Sequence, residues 1–147
     1  VPKRATKKAR TLIRMAVAKA SLLEQLKPAE VEVVKSALVI GGGLSGMTAA
    51  VELARAGFDP HLVERDSELG GLLRRIHFGC SGEDVQGFLG RLVKQVEDDD
   101  RIRVYTSAEL KEVSGSVGDF TAVIDSDGEE IETHQGVIIV ATGGEEY

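Results

Sequence analysis

The run Ser36-Ala-Leu-Val-Ile40, followed at once by Gly41-Gly-Gly43-Leu-Ser-Gly46, leaves this chain few choices of fold. A short, wholly apolar strand reads as a central parallel strand buried on both faces. Each glycine of the Gly41-x-Gly43-x-x-Gly46 pattern then has its own physical reason. Gly41 permits the sharp turn out of the strand, Gly43 lets an anionic group approach bare main chain, and Gly46 lets the next helix pack closely. That helix, expected from about Ser45 to Ala56, is rich in small residues and closes at Gly57. Its opening residues, Leu44 and Ser45, offer main-chain N–H groups and the positive end of the helix dipole, which suits a pyrophosphate. Asp59 to Val63 reads as the next strand, and Glu64 stands at its end, about twenty residues past the glycines. A carboxylate there accepts hydrogen bonds from ribose hydroxyls and repels a 2′-phosphate. Arg65 beside it weakens that exclusion. Strand, turn, helix and strand in about thirty residues make a βαβ dinucleotide-binding unit.

The remaining pattern completes an α/β domain. Val85, Phe88, Leu89, Leu92, Val93 and Val96 give a helical stripe over about Glu83–Glu97, with Ser81 and Asp84 as a capping arrangement. Ile102–Tyr105 is a third strand. Glu109–Val113, Phe120–Asp125 and Glu130–Thr133 then alternate apolar and polar residues. Turns at 115–118 and 126–128 make them an antiparallel meander, after which Gly136–Val140 returns as an apolar strand. The expected fold is a Rossmann-like FAD/NAD(P)-binding domain of three layers, a parallel sheet with an inserted antiparallel β-meander. An amphipathic helix over 5–26, closed by Pro28, precedes it. The expected division is a basic helical segment, 1–35, and a truncated nucleotide-binding domain, 36–147. Both ends read as cut from a longer chain.

Charge supports that division. Residues 1–30 carry eight Lys/Arg against two Asp/Glu, a balance of +6, whereas the remainder carries ten against twenty-two, a balance of −12. An acidic body with only six aromatic residues is a poor nucleic-acid binder. Cys80 is the sole cysteine, so this stretch alone can hold neither a disulfide nor an iron–sulfur cluster, and a cytoplasmic setting is expected. No apolar run approaches the length of a membrane-spanning helix. His61, His77 and His134 suggest no metal site, and no residue is assigned a catalytic role.

FAD and NAD share the glycine pattern, so other residues must choose between them. Glu64-Arg-Asp-Ser-Glu-Leu-Gly70-Gly71-Leu-Leu-Arg74 places paired glycines where a loop can pass close to a pyrophosphate and ribityl chain, with Arg74 or Arg75 to offset phosphate charge. The ending Val137-Ile-Ile-Val-Ala-Thr142-Gly143 is similar to the segment that faces the cofactor in flavin-dependent, disulfide-reductase-like proteins. A meander followed by such a segment favours FAD.

Read together, four stretches resemble the A subunit of heterodisulfide reductase. They are Val1–Ala20, Gly82-Glu-Asp-Val-Gln86, Val113-Ser-Gly-Ser-Val-Gly-Asp-Phe120 and Ala141-Thr-Gly-Gly-Glu-Glu-Tyr147. The resemblance implies that Gly41, Gly43 and Gly46 meet the pyrophosphate and Glu64 the adenosine ribose. It places Gly70, Gly71 and Arg74 along the diphosphate–ribityl side, Leu110 at the adenine, and Thr142 and Gly143 at the border of the site. It further implies an oxidoreductase in which FAD passes electrons between iron–sulfur clusters and partner subunits. The 4Fe–4S clusters would sit in parts of the parent chain absent here, so these residues alone would hold FAD weakly and be inactive. The competing expectations are an NAD-binding regulatory module without redox turnover and a scaffold whose nucleotide site has decayed.

Overall fold

The computed structural model describes residues 2–24 and 32–144. The chain divides into two units, residues 1–30 and 31–147. In the first, helix α1 spans Pro2–Ser21. It stops short of the expected residue 26, because the N–H groups of Leu22 and Leu23 bond the carbonyls three residues back, Lys19 and Ala20, at 3.2 Å each. Pro28 lies outside the described residues. The apolar positions Leu12, Ile13, Val17 and Leu23 are all exposed.

The second unit begins with β1 (Ser36–Ile40), α2 (Leu44–Arg55) and β2 (Asp59–Val63). A short 3-10 turn over Gly71–Arg75 and helix α3 (Val85–Glu97) follow. Strand β3 (Arg103–Tyr105) comes next, then the meander β4 (Ala108–Ser116), β5 (Asp119–Ser126) and β6 (Glu129–Gln135). Strand β7 (Val137–Val140) closes it. Strands β3, β2, β1 and β7 form a parallel sheet in that order, and β4, β5 and β6 form an antiparallel one. The strand order reverses between β1 and β7, and the crevice beyond the carboxyl ends of the strands there is where open α/β sheets take their ligands.

Alternation along the central strands supplies two cores. Val39 and Leu62 face α2 and α3, where they join Met47, Ala50, Leu89, Leu92 and Val96. Leu38 and Val63 face the other way, onto Ala108, Ala122 and Ile124 of the meander. Helices, parallel sheet and meander are therefore three layers around one sheet, as the pattern predicts. Asp127 (φ 54°) and Gly128 (φ 84°) both take left-handed backbone in the β5–β6 turn, the geometry of a tight hairpin. The cap of α3 is Asp84 rather than Ser81: its carboxylate accepts from the Gly87 N–H at 2.9 Å.

His61 sits inside β2, 6% exposed, with its Nδ1 3.2 Å from the Tyr105 hydroxyl and its ring stacked on that of Tyr105. Burial, then the positive charge of Arg103, lowers its pKa below the ordinary 6.5, and Asp59 opposes this in part. Below pH 6.5 the unfolded chain therefore takes up a proton that the folded chain refuses, and stability falls as pH falls toward the lowered value. Urea unfolding at neutral pH and again well below 6.5 should show this loss in the native chain. It should be smaller in His61→Phe, which keeps the stack on Tyr105 and cannot titrate; an equal loss in both would remove His61 as its source.

Candidate dinucleotide-binding site

The turn after β1 is built from three consecutive glycines, each constrained differently. Gly41 has φ 109°, donates its N–H to the Val63 carbonyl at 2.7 Å, and lies so close to the Ala141 carbonyl that a side chain there would overlap it. Gly46, one turn into α2, has no room either: a β-carbon would collide with the Gly41 carbonyl oxygen and lie 3.4 Å from Val39 Cγ1. The close packing expected of Gly46 is therefore made mainly with the turn. Gly43 is the opposite case. A β-carbon there would meet nothing within 4 Å, and the residue holds extended backbone, φ −77° and ψ −171°, that any residue can adopt. No side chain caps the helix at Gly43. The N–H groups of Leu44 and Ser45 thus open α2 beside an uncovered stretch of main chain, and both residues are exposed.

Glu64 is aimed at this corner. It is 8% exposed, and its backbone is clamped by the Tyr105 carbonyl at 2.8 Å and the Ala108 N–H at 2.9 Å. Its carboxylate accepts from the Gly42 N–H at 2.6 Å and from the Asp66 N–H at 2.9 Å. Each carboxylate oxygen can accept more than one hydrogen bond, so a ribose hydroxyl can still be served. Gly42 emerges as a residue that sequence reasoning passed over. It is buried, its N–H meets Glu64, and its carbonyl accepts the Gly70 N–H at 2.8 Å. The only sign of it in the sequence is that the glycine run is three long, not two.

The second glycine loop folds onto the first. Gly70 (φ 124°) and Gly71 (φ 49°) both use left-handed backbone. A β-carbon on Gly71 would lie 3.3 Å from the Gly43 Cα. Arg74 is engaged within its own loop: it donates to the Leu69 carbonyl at 3.0 Å and pairs with Glu68. Thr142 and Gly143 follow β7 on the exposed surface, and the Thr142 Cα stands 3.1 Å from where a Gly41 β-carbon would be. Arg65 is exposed and lines a hollow of about 270 Å³ with Ser107, Glu109, Asp125 and Asp127. Leu110 packs half-buried against the Leu38–Val63 core. Its strand is an edge of the meander, and the ladder slips just after it, between Leu110 and Glu112.

A wider hollow of about 740 Å³ lies along the end of α3, between Arg91, Lys94, Asp98–Asp100 and Arg101. Arg101 pairs at 3.9 Å with Asp59 at the start of β2, so that hollow lies toward the amino ends of the parallel strands, whereas the glycines follow a carboxyl end. It is the larger of the two but lacks the uncovered main chain of the glycine corner. Among the described residues no group of three or more His, Cys, Asp or Glu side chains is placed to hold a metal ion. Among them, too, no helix is long and apolar enough to cross a membrane.

Known proteins match this arrangement. Residues 39–103 match the family of NAD(P)-binding Rossmann-like domains. The second of the iron-sulfur A subunits of CoB--CoM heterodisulfide reductase in Methanopyrus kandleri is 45% identical over 125 residues, 84% of this chain and 19% of the relative. The A subunit of the H(2):CoB-CoM heterodisulfide,ferredoxin reductase of Methanothermobacter marburgensis is 41% identical over the same shares. Among solved structures, L-proline dehydrogenase from P. horikoshii superimposes with a TM-score of 0.65 at 25% identity, over 81% of this chain and 25% of that one. The chain spans about one fifth of the length of its heterodisulfide reductase relatives. Over the stretch that it shares with them, with its glycine turns and its acidic residue in one Rossmann-like corner, the chain is similar to the A subunits of heterodisulfide reductases.

Proposed function

We propose that this chain supplies the ADP-gripping part of an FAD site in an oxidoreductase of the heterodisulfide reductase type. The observation that carries the reading is position 43, where main chain lies open to 4 Å beside a helix start that no side chain caps. A pyrophosphate fits that corner: it needs donors, a partial positive charge and no β-carbon in its way. Gly41, Gly43 and Gly46 shape the cradle, and the N–H groups of Leu44 and Ser45 face the phosphates. Glu64 takes the adenosine ribose, with Arg65 at the outer side. The edge backbone around Leu110 meets adenine. Gly70, Gly71 and Arg74 line the diphosphate–ribityl side, and Thr142 and Gly143 border the site.

FAD is favoured over NAD because the second glycine loop already packs on the first, which lengthens the cradle beyond the ADP half. When bound, the isoalloxazine ring supplies reversible electron acceptance; the protein's part is to bind, orient and shield it. In the parent protein the flavin would relay electrons between 4Fe–4S clusters and partner subunits. Those clusters would be held elsewhere in that protein, since this stretch has the one cysteine, Cys80. A cytoplasmic setting accords with that lone free thiol.

Calorimetric titration of the 147-residue chain tests the reading. FAD and ADP should bind with micromolar affinity and compete with each other. NAD binding without FAD binding would favour a regulatory module instead. Nanomolar FAD affinity would show that these residues alone complete the site.

A further inference from the structure

The Gly70–Gly71 loop is held largely from outside itself, with Leu73 packed part-buried against the core beneath it. None of residues 71–75 is buried, and the 3-10 turn is joined to its flanks by the Leu73 N–H to the Gly70 carbonyl at 3.1 Å and the Ile76 N–H to the Leu73 carbonyl at 3.2 Å. The Arg74 bonds to Leu69 and Glu68 are local and tie the loop only to itself. At its near end the loop is fixed by buried Leu69 and by the Gly70–Gly42 bond. Its far end is fixed from α3. The Gln86 amide nitrogen donates to the Leu73 carbonyl at 2.9 Å and to the Ile76 carbonyl at 2.5 Å, which uses both of its hydrogens. Gln86 stands half-buried in the first turn of a helix anchored by Leu89, Leu92 and Val96 and capped by Asp84.

We infer that Gln86 is a positioning residue for the dinucleotide site: it clamps the far end of the second glycine loop and so keeps Gly71 against Gly43. The inference rests on the reading of that corner as the FAD site. The chemistry requires two donors on one group, which the amide nitrogen supplies. Two carbonyl oxygens converge on one point, and only a group with two donors satisfies both. Glutamate has the same shape and, ionised, no donor. In its place the carboxylate would face two carbonyls and push the turn away.

The test uses Gln86→Glu and Gln86→Ala in the 147-residue chain, with amide hydrogen exchange read residue by residue and FAD as the probe. Loss of the clamp should raise exchange at the Gly70 N–H about tenfold while amides of β1 and β2 keep their protection. FAD affinity should fall about tenfold, more in the Glu variant than in the Ala variant. Unchanged Gly70 protection would overturn the clamp whatever FAD does. Faster Gly70 exchange with unchanged FAD affinity would overturn its role in the site. Faster exchange in a chain that binds no FAD even when native would leave the clamp standing and remove the cofactor reading instead. Should one variant lose protection in β1 and β2 as well, the other decides; loss throughout in both would make Gln86 a residue of the fold and overturn the inference.

Discussion

Gly43→Val should leave the stability of the chain within about 0.5 kcal/mol of native and weaken FAD binding about 100-fold, ~2.7 kcal/mol. Gly46→Ala, a smaller change three residues on, should cost about 3 kcal/mol of stability. The contrast follows from what a side chain would meet. At Gly43 its β-carbon meets nothing within 4 Å, and the backbone is already extended. The position is a helix N-cap, where glycine outranks valine and alanine, but the smaller entropy of the unfolded variant offsets part of that preference. The new atoms therefore project into the space that the proposal gives to the pyrophosphate. They would hold it away from the N–H groups of Leu44 and Ser45, and each charge-assisted bond lost there is worth about 1.5–3 kcal/mol. At Gly46 the β-carbon would run into the Gly41 carbonyl, with Val39 behind it. Turn, helix and strand would all have to move apart. Urea unfolding and FAD titration of both variants check the pair. Equal loss of stability at the two positions, or native FAD affinity in Gly43→Val, would show that the open face of Gly43 is not where the cofactor lies.

The same corner shows what a sequence can reveal of a site. The strand, the glycine turn, α2 and β2 were legible because their determinants are local: an apolar run, a spacing, a cap. The three layers were legible for a related reason, since period-two and period-3.6 patterns identify which faces must be covered. What escaped notice depends on residues far apart in the chain. Gly42 matters because Glu64 and Gly70 reach it, and Gln86 matters because it bonds carbonyls ten and thirteen residues earlier. The 3-10 turn over Gly71–Arg75 has no apolar period to announce it and is held from outside. The expected strand Glu109–Val113 ends too early where pairing outlasts alternation: β4 continues through Ser114, Gly115 and Ser116, all exposed, because its backbone still pairs with β5. Arg74 was legible as a cation near the loop but not as one already paired with Glu68. The choice among several possible partners is made only in three dimensions.

Glu64→Ala should destabilise the chain by about 3 kcal/mol, and the isosteric Glu64→Gln by about half of that. The carboxylate is buried and accepts from two backbone N–H groups, Gly42 at 2.6 Å and Asp66 at 2.9 Å. Alanine leaves both donors without a partner and opens a space beside Leu69. Glutamine keeps one acceptor but turns its amide hydrogens toward the other N–H. Both variants also release Gly42, and with it the turn that presents Gly43, so FAD affinity should fall together with stability. Charge can be separated from this loosening by a second nucleotide. The native carboxylate should discriminate strongly between ADP and 2′-phospho-ADP, because a phosphate on the ribose would approach a buried negative charge. Glu64→Gln removes the charge but keeps the shape, so that discrimination should narrow even as binding of ADP itself weakens. If both nucleotides instead weaken by the same factor, Glu64 serves the glycine turn alone and some other group must hold the ribose. If neither weakens while stability drops, the carboxylate is a strut of the fold and the sugar lies elsewhere.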